Sequence, residues 1–261
     1  MVRRIQVIRA GFPEPDEMDT AVSHATLRLV ARGEIPETLR LHRPADVVAF
    51  GPRDRVAPGF GPAVAAARAL GFGAIERLAG GRAAVFHQGT LAFSWAIPDP
   101  SPRRGIRPRF EVIAGIMAEA FRSLGVDARV GEVPGEYCPG EHSVNARGKT
   151  KLMGVGQRVV ADAAHVGGVV VVTGGDRVRE VLLPVYDALE LEWDPATVGS
   201  LEDEVPGTTW EEAEEAILDA FAARFDLEDG DLTEETLALA RELAPRHAVG
   251  TPGPVRSSNP R

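Results

Sequence analysis

The chain has 261 residues, 44% of them hydrophobic and 26% charged, enough for one large domain or one domain with a small appendage. A formal charge of −9 argues against non-specific binding to nucleic acid or an anionic membrane, and no apolar run approaches the ~18–20 residues that span a bilayer. The single cysteine excludes an intramolecular disulfide and paired-cysteine zinc sites.

The chain opens Met1-Val2-Arg3-Arg4-Ile5, basic residues with no apolar stretch or cleavage site behind them. This predicts a first strand over residues 4–10, no signal peptide, and a cytoplasmic protein. Met18, Val22, Ala25, Leu27 and Val30 mark a helix over 16–31 with Asp16 as its cap. Short strands follow at 39–42 and 46–50, then an Ala-rich helix over 62–70 stopped by Gly71. Strands are predicted at 74–78, 83–87 and 90–97, and an amphipathic helix over 110–124 ends at Gly125. A Gly/Pro-rich loop over 131–140 precedes a hairpin of strands 151–160 and 164–172, the second a Val run of the kind buried on both faces. Helices at 177–191 (interrupted by Pro184), 210–225 and 233–243 complete the pattern, with Thr209 and Thr233 as caps. The order predicts an α+β fold with mixed strand order, organised as a catalytic domain over 1–195, C-terminal helices over 196–247 packed on it, and a disordered tail over 248–261.

Two stretches carry chemistry. In Arg77-Leu78-Ala79-Gly80-Gly81-Arg82-Ala83 the paired glycines let backbone approach a ligand closely. The second stretch places Cys138 in a loop between Tyr137 and Pro139, followed within 20 residues by Arg147, Lys149, Lys151 and Arg158, a cationic setting that favours a thiolate. Gly148-Lys149-Thr150 is not a P-loop, because the required earlier glycine is Ser143 and a strand follows. Arg103, Arg104, Arg107 and Arg109 form a basic stretch, read either as a solvated loop or as a docking site for an acidic carrier protein.

Together the stretches resemble the biotin/lipoyl protein ligase and octanoyltransferase superfamily. Arg77-x-x-Gly80-Gly81-Arg82-Ala83, with His87 beyond, is similar to that superfamily's Arg-x-x-Gly-Gly-(Arg/Gly)-Ala-Val-x-His motif, with one extra residue before the histidine. Lys151-Leu152-Met153-Gly154-Val155-Gly156-Gln157 is similar to its Lys-Ile-x-Gly-x-Ala-Gln motif, with Gly156 in place of the usual alanine. A Val-rich strand with His165-Val166-Gly167 follows, and the resemblance runs over residues 5–245. It implies a class II aminoacyl-tRNA synthetase/biotin synthetase-like fold, a mainly antiparallel mixed sheet flanked by helices. It also implies that Lys151 contacts the acyl carbonyl and that Arg77, Gly80, Gly81, Arg82, His87, Gly154, Gln157 and His165 bind substrate. Cys138, placed before the lysine as in the cysteine-dependent transferases of the superfamily, is implied to carry the acyl group.

The resulting expectation is an octanoyl or lipoyl transferase working through a Cys138 thioester, with no metal and no cofactor. Octanoyl-acyl carrier protein or octanoylated H protein would be the donor, and a lysine of a lipoyl domain or H protein the acceptor. His142 and His165 are candidates for proton transfer. Two alternatives stand beside it: an ATP- and Mg²⁺-dependent lipoate-protein ligase in which Cys138 is incidental, and a non-catalytic homologue that binds acyl carriers. The absence of an acid within 143–147, where the superfamily often has one before its lysine, speaks against the ligase.

Overall fold

The computed structural model describes residues 2–14 and 16–250. Strands β1 (Arg4–Ile8), β2 (Thr38–His42), β3 (Val47–Phe50), β4 (Gly73–Glu76), β5 (Ala84–Phe86) and β6 (Thr90–Pro98) make up the N-terminal half with helices α1 (Met18–Arg32), α2 (Pro52–Arg55), α3 (Phe60–Ala69) and α4 (Ile106–Ser123). The second half supplies β7 (Ala128–Val130), β8 (Val144–Ala146), β9 (Thr150–Val160), β10 (Ala163–Val171) and β11 (Asp226–Asp229), with α5 (Gly175–Ala188), α6 (Leu201–Glu204), α7 (Trp210–Ala222) and α8 (Glu234–Leu243). An eight-stranded sheet runs β11-β1-β2-β6-β10-β9-β8-β7, and β4-β3-β5 form a second, three-stranded sheet. Only the β11-β1-β2 edge of the large sheet is parallel, so the architecture is the expected α+β with a mainly antiparallel sheet.

Register separates the two faces of the large sheet. Leu39 pairs with Trp95 and Leu41 with Phe93, while Val166 and Val170 sit opposite Trp95 and Leu91. All belong to one apolar cluster with Ile113, Met117 and Phe121 of α4 and Ile217 and Phe221 of α7. Each such buried side chain contributes roughly 1.5–3 kcal/mol. The opposite face carries small or polar residues in the same rows: Arg40 pairs with Ser94, His42 with Ala92, and Gly167 with Ser94. Short side chains here cannot fill the space toward α1 and the small sheet, and a cavity remains.

Several boundaries differ from the sequence expectations for local reasons. Helix α4 starts at Ile106 because Pro108 falls in its first turn, where a missing N–H costs nothing. Helix α5 runs through Pro184 without a break. Strand β11 lies inside a region expected to be purely helical, and β7 and β8 were not anticipated. Arg147 and Gly148 have φ of 57° and 72°, and the Lys149 N–H donates to the Ala146 carbonyl at 2.8 Å, a tight hairpin turn joining β8 to β9. Helix α8 packs on α1 and α7 on α4. Of the tail expected to be disordered, residues 251–261 lie outside the described residues; Ala248 bridges to Ile75. Among the described residues, no helix is long and apolar enough to cross a membrane.

Candidate active site

Lys151 enters the interior as the second residue of β9, opposite Asn145 of β8. Its side chain is 1% exposed, and Gly154 leaves room for it: a Cβ there would stand 3.2 Å from Lys151 Cε. The ammonium donates to Glu136 Oε1 at 2.9 Å, the Tyr137 carbonyl at 3.0 Å and the Cys138 carbonyl at 2.7 Å. These contacts occupy its three N–H groups with the loop that carries the cysteine.

Glu136 is the counter-charge that the sequence reading did not find. Its carboxylate also accepts from the Val133 and Gly140 N–H groups and from Ser143 Oγ, the last at 2.6 Å. It therefore shapes the loop over 133–143 and neutralises Lys151 in one contact set. The sequence signal was a carboxylate two residues before the cysteine in a Gly/Pro loop, recognisable only once the lysine is known to be buried.

Cys138 has φ of 43°, in the left-handed region that non-glycine residues avoid. Its N–H donates to Tyr186 Oη at 3.0 Å, and that hydroxyl donates to the Ala83 carbonyl at 3.0 Å. Tyr186, on α5, thus pins the strained turn to the segment entering β5. Burial raises the Tyr186 phenol well above its usual range and keeps it a donor. The Cys138 sulfur accepts from the Arg82 N–H at 3.2 Å, with Arg77 Nη1 at 3.8 Å. Gly81, at φ of 118°, makes this approach possible, since a Cβ there would lie 3.0 Å from Sγ and 2.8 Å from Arg77 Nη1. Arg77 closes its own loop by donating to the Arg82 carbonyl at 2.9 Å, and the Arg82 guanidinium pairs with buried Asp54 at 3.1 Å.

Arg77, Gly80, Gly81, Cys138, Lys151, Gly154 and Gln157 line one open cavity of about 560 Å³. Cys138 also borders a second opening of about 660 Å³ with Gly80, Gly81, Arg82 and Tyr186. Cys138 therefore borders both openings. His142 lines the first cavity, stacked on Phe110 with ring centroids 5.1 Å apart.

Two expected residues lie elsewhere. His87 sits in the β5–β6 turn, its Nδ1 accepting from the Gly89 N–H at 3.0 Å, and it lines neither opening beside Cys138. His165 lines a smaller inner cavity of about 80 Å³ between the sheets, where burial pushes its pKa down to about 3 and Ser94 Oγ lies 3.3 Å away. That cavity abuts the outer one through Arg77, Phe86 and Gly168, which line both. Arg109, expected in the basic stretch, is buried, with Nε on Gln157 Oε1 at 2.8 Å, so it offers no surface charge. Gln157 in turn donates to the Ile106 carbonyl, joining β9 to the start of α4. Among the described residues no cluster of three His, Cys, Asp or Glu side chains could hold a metal ion.

The comparisons with known proteins converge on the same fold. An octanoyl-[GcvH]:protein N-octanoyltransferase of Geobacillus kaustophilus is 28% identical over 163 residues, covering 62% of this chain and 57% of that protein. A lipoyl-[GcvH]:protein N-lipoyltransferase of Listeria monocytogenes is 26% identical over 172 residues, covering 66% and 62%. The chain thus matches about three fifths of these relatives' length. The crystal structure of a lipoate-protein ligase A bound with ATP superposes with a TM-score of 0.73 at 23% identity, over 94% of this chain and 95% of that one. Residues 17–222 match the lipoyl protein ligase A/B catalytic domain, a span that holds the Arg77–Arg82 segment, Cys138 and Lys151, and the chain belongs to that family.

Proposed function

We propose that the protein transfers a medium-chain acyl group, octanoyl or lipoyl, through a thioester on Cys138 to a lysine of a lipoyl domain or H protein. The observation that carries this reading is the Cys138 sulfur itself. It is held in a strained turn between two openings, in contact with an N–H and a guanidinium, on a loop whose carbonyls bind the Lys151 ammonium. The named activities of the similar transferases, which pair octanoyl- or lipoyl-[GcvH] with a protein, support the choice of acyl and carrier. Octanoylated or lipoylated H protein is the preferred donor, with octanoyl-acyl carrier protein as the other.

In the first half-reaction the Cys138 sulfur attacks the donor carbonyl, the new C–S bond forms, and the donor's amine or thiol leaves with a proton. Attack by the acceptor amine then forms the amide and breaks the C–S bond, returning the sulfur with a proton from the amine. His142 lines the same cavity as Cys138 and is the candidate to relay that proton from the amine to the sulfur. For Lys151 to serve the acyl oxygen, one of its loop carbonyls must exchange for that oxygen as negative charge builds there. The reading requires neither ATP nor Mg²⁺.

The test is transfer from octanoyl-H protein, and separately from octanoyl-acyl carrier protein, to an unmodified lipoyl domain, followed by the mass of the acceptor with and without ATP. Transfer without ATP that is lost in Cys138→Ala is expected. Transfer that requires ATP and persists in Cys138→Ala would replace this reading with the adenylate-forming ligase of the same fold.

A further inference from the structure

All three N–H groups of the Lys151 ammonium are engaged with its own loop, so the negative charge that builds on an acyl oxygen at Cys138 calls for another donor. Arg77 is the cation that faces the sulfur. Its half-buried side chain lines the outer cavity, with Nη1 3.8 Å from Cys138 Sγ and 2.9 Å from the Arg82 carbonyl oxygen. Among the described residues it forms no ion pair, and Nε and Nη2 make no hydrogen bond. The Arg82 N–H reaches the same sulfur at 3.2 Å.

Two glycines make the slot that the guanidinium occupies. Gly81 leaves room on the Nη1 side, and Gly156 does so on the Nη2 side. A Cβ at Gly156 would lie 3.2 Å from Arg77 Nη2, and 3.0 Å from both Ala79 Cβ and the Gly80 carbonyl oxygen. The alanine usual at this position of the lysine motif would place a methyl group there. This chain lacks a side chain where its arginine reaches toward the cysteine.

Resting on the proposed acyl transfer, we propose that the Arg77 guanidinium, together with the Arg82 N–H, holds the negative charge of the acyl oxygen during acylation of Cys138, and that Gly156 sets the arginine's reach. Both donors face the sulfur before attack. As the C–S bond forms, a sulfur electron pair enters it and the carbonyl π pair moves to the oxygen on the same carbon, so the charge shifts by a short distance beside donors already in place. Collapse returns that pair to the carbonyl and expels the donor's thiol or amine, which carries away the proton given up by Cys138. Lys151 keeps its contacts with the loop throughout.

The test is acylation of Cys138 in the full-length protein by octanoyl-pantetheine and by its dithioester, in which sulfur, a weak hydrogen-bond acceptor, replaces the carbonyl oxygen. Intact mass follows the adduct, and the readout is the ratio of the oxygen-ester rate to the sulfur-ester rate at saturation. In Arg77→Gln, kcat for the oxygen ester should fall ~10²-fold with KM little changed, and the ratio should fall at least ~10-fold from its wild-type value. Gly156→Ala retains the arginine and crowds Nη2, so it should lower the ratio in the same direction, and it decides the matter if Arg77→Gln fails to fold. Tyr186→Phe loosens the cysteine turn without touching either donor and should slow both esters alike, so damage to the loop does not mimic the effect. An unchanged ratio in Arg77→Gln, or a ratio that falls in Lys151→Met alone, would overturn the inference while leaving acyl transfer standing. No adduct from either ester in the wild-type protein would overturn acyl transfer and this inference with it.

Discussion

Replacing Glu136 with Gln tests how the lysine and the cysteine loop depend on one another. The substitution leaves the Lys151 ammonium buried without a counter-charge. It also presents an amide NH₂ where the carboxylate accepts from Val133, Gly140, Ser143 and Lys151. Breaking a buried ion pair from one side costs about 3–5 kcal/mol. At roughly 2–4 °C per kcal/mol for a chain of this size, Tm should fall by about 6–20 °C. The double variant Glu136→Gln/Lys151→Met removes both charges and keeps a side chain of similar length, so it should recover most of that loss. Acylation should not return with stability, because the loop carbonyls of Tyr137 and Cys138 then lack their donor. The assay pairs thermal unfolding of the wild type, both single variants and the double variant with the rate of Cys138 acylation. A Glu136→Gln protein with unchanged Tm, or single-variant losses that simply add in the double variant, would refute the coupling.

Three further perturbations follow from the same geometry. Tyr186→Phe removes the hydroxyl between Cys138 N–H and the Ala83 carbonyl; it should cost about 1–3 kcal/mol in urea unfolding and slow acylation, and an unaltered acylation rate would contradict the pinned turn. Gly51→Ala drives a Cβ to 1.8 Å from the Gly81 carbonyl oxygen, so the 80–82 segment must move away from Sγ; a loss of about 1–3 kcal/mol and of acylation is expected, and a wild-type rate would count against that segment's role. Burial pushes His24 down to about 4 and His165 to about 3, so both are neutral in the folded chain, whereas unfolded histidines bind protons near pH 6.5. Stability should therefore be full above about pH 6.5 and decline as pH falls toward 4 and then 3, and urea midpoints that stay level between pH 7 and pH 4.5 would contradict this.

Legibility in the sequence followed the range of the interactions. The Val run of β10 and the 110–124 periodicity of α4 advertise themselves through side chains, and both elements form. β11, with the sequence Asp-Leu-Glu-Asp, has no such pattern; it exists because its backbone pairs with β1, more than 200 residues away. β8 is three residues long and is defined by the turn at Arg147-Gly148. Around the site, Cys138 and Lys151 could be singled out by motif and spacing, and the structure brings them into one hydrogen-bonded loop. Glu136 and Tyr186 could not, because one answers a burial that only the fold creates and the other reaches the loop from a distant helix. His87 and His165 illustrate the converse. Motif position places them near the site in sequence, but a turn holds one ring against Gly89 and the sheet's inner face takes the other.

The most direct test of the account is a single-turnover chase. The wild-type protein is loaded from octanoyl-H protein or octanoyl-acyl carrier protein without ATP, freed of donor, and mapped by peptide mass before an unmodified lipoyl domain is added. The account predicts one octanoyl adduct on Cys138 that disappears at the rate at which octanoyl-lysine appears on the acceptor. An acceptor acylated with no adduct on Cys138, or an adduct that persists while the acceptor remains unmodified, would contradict it.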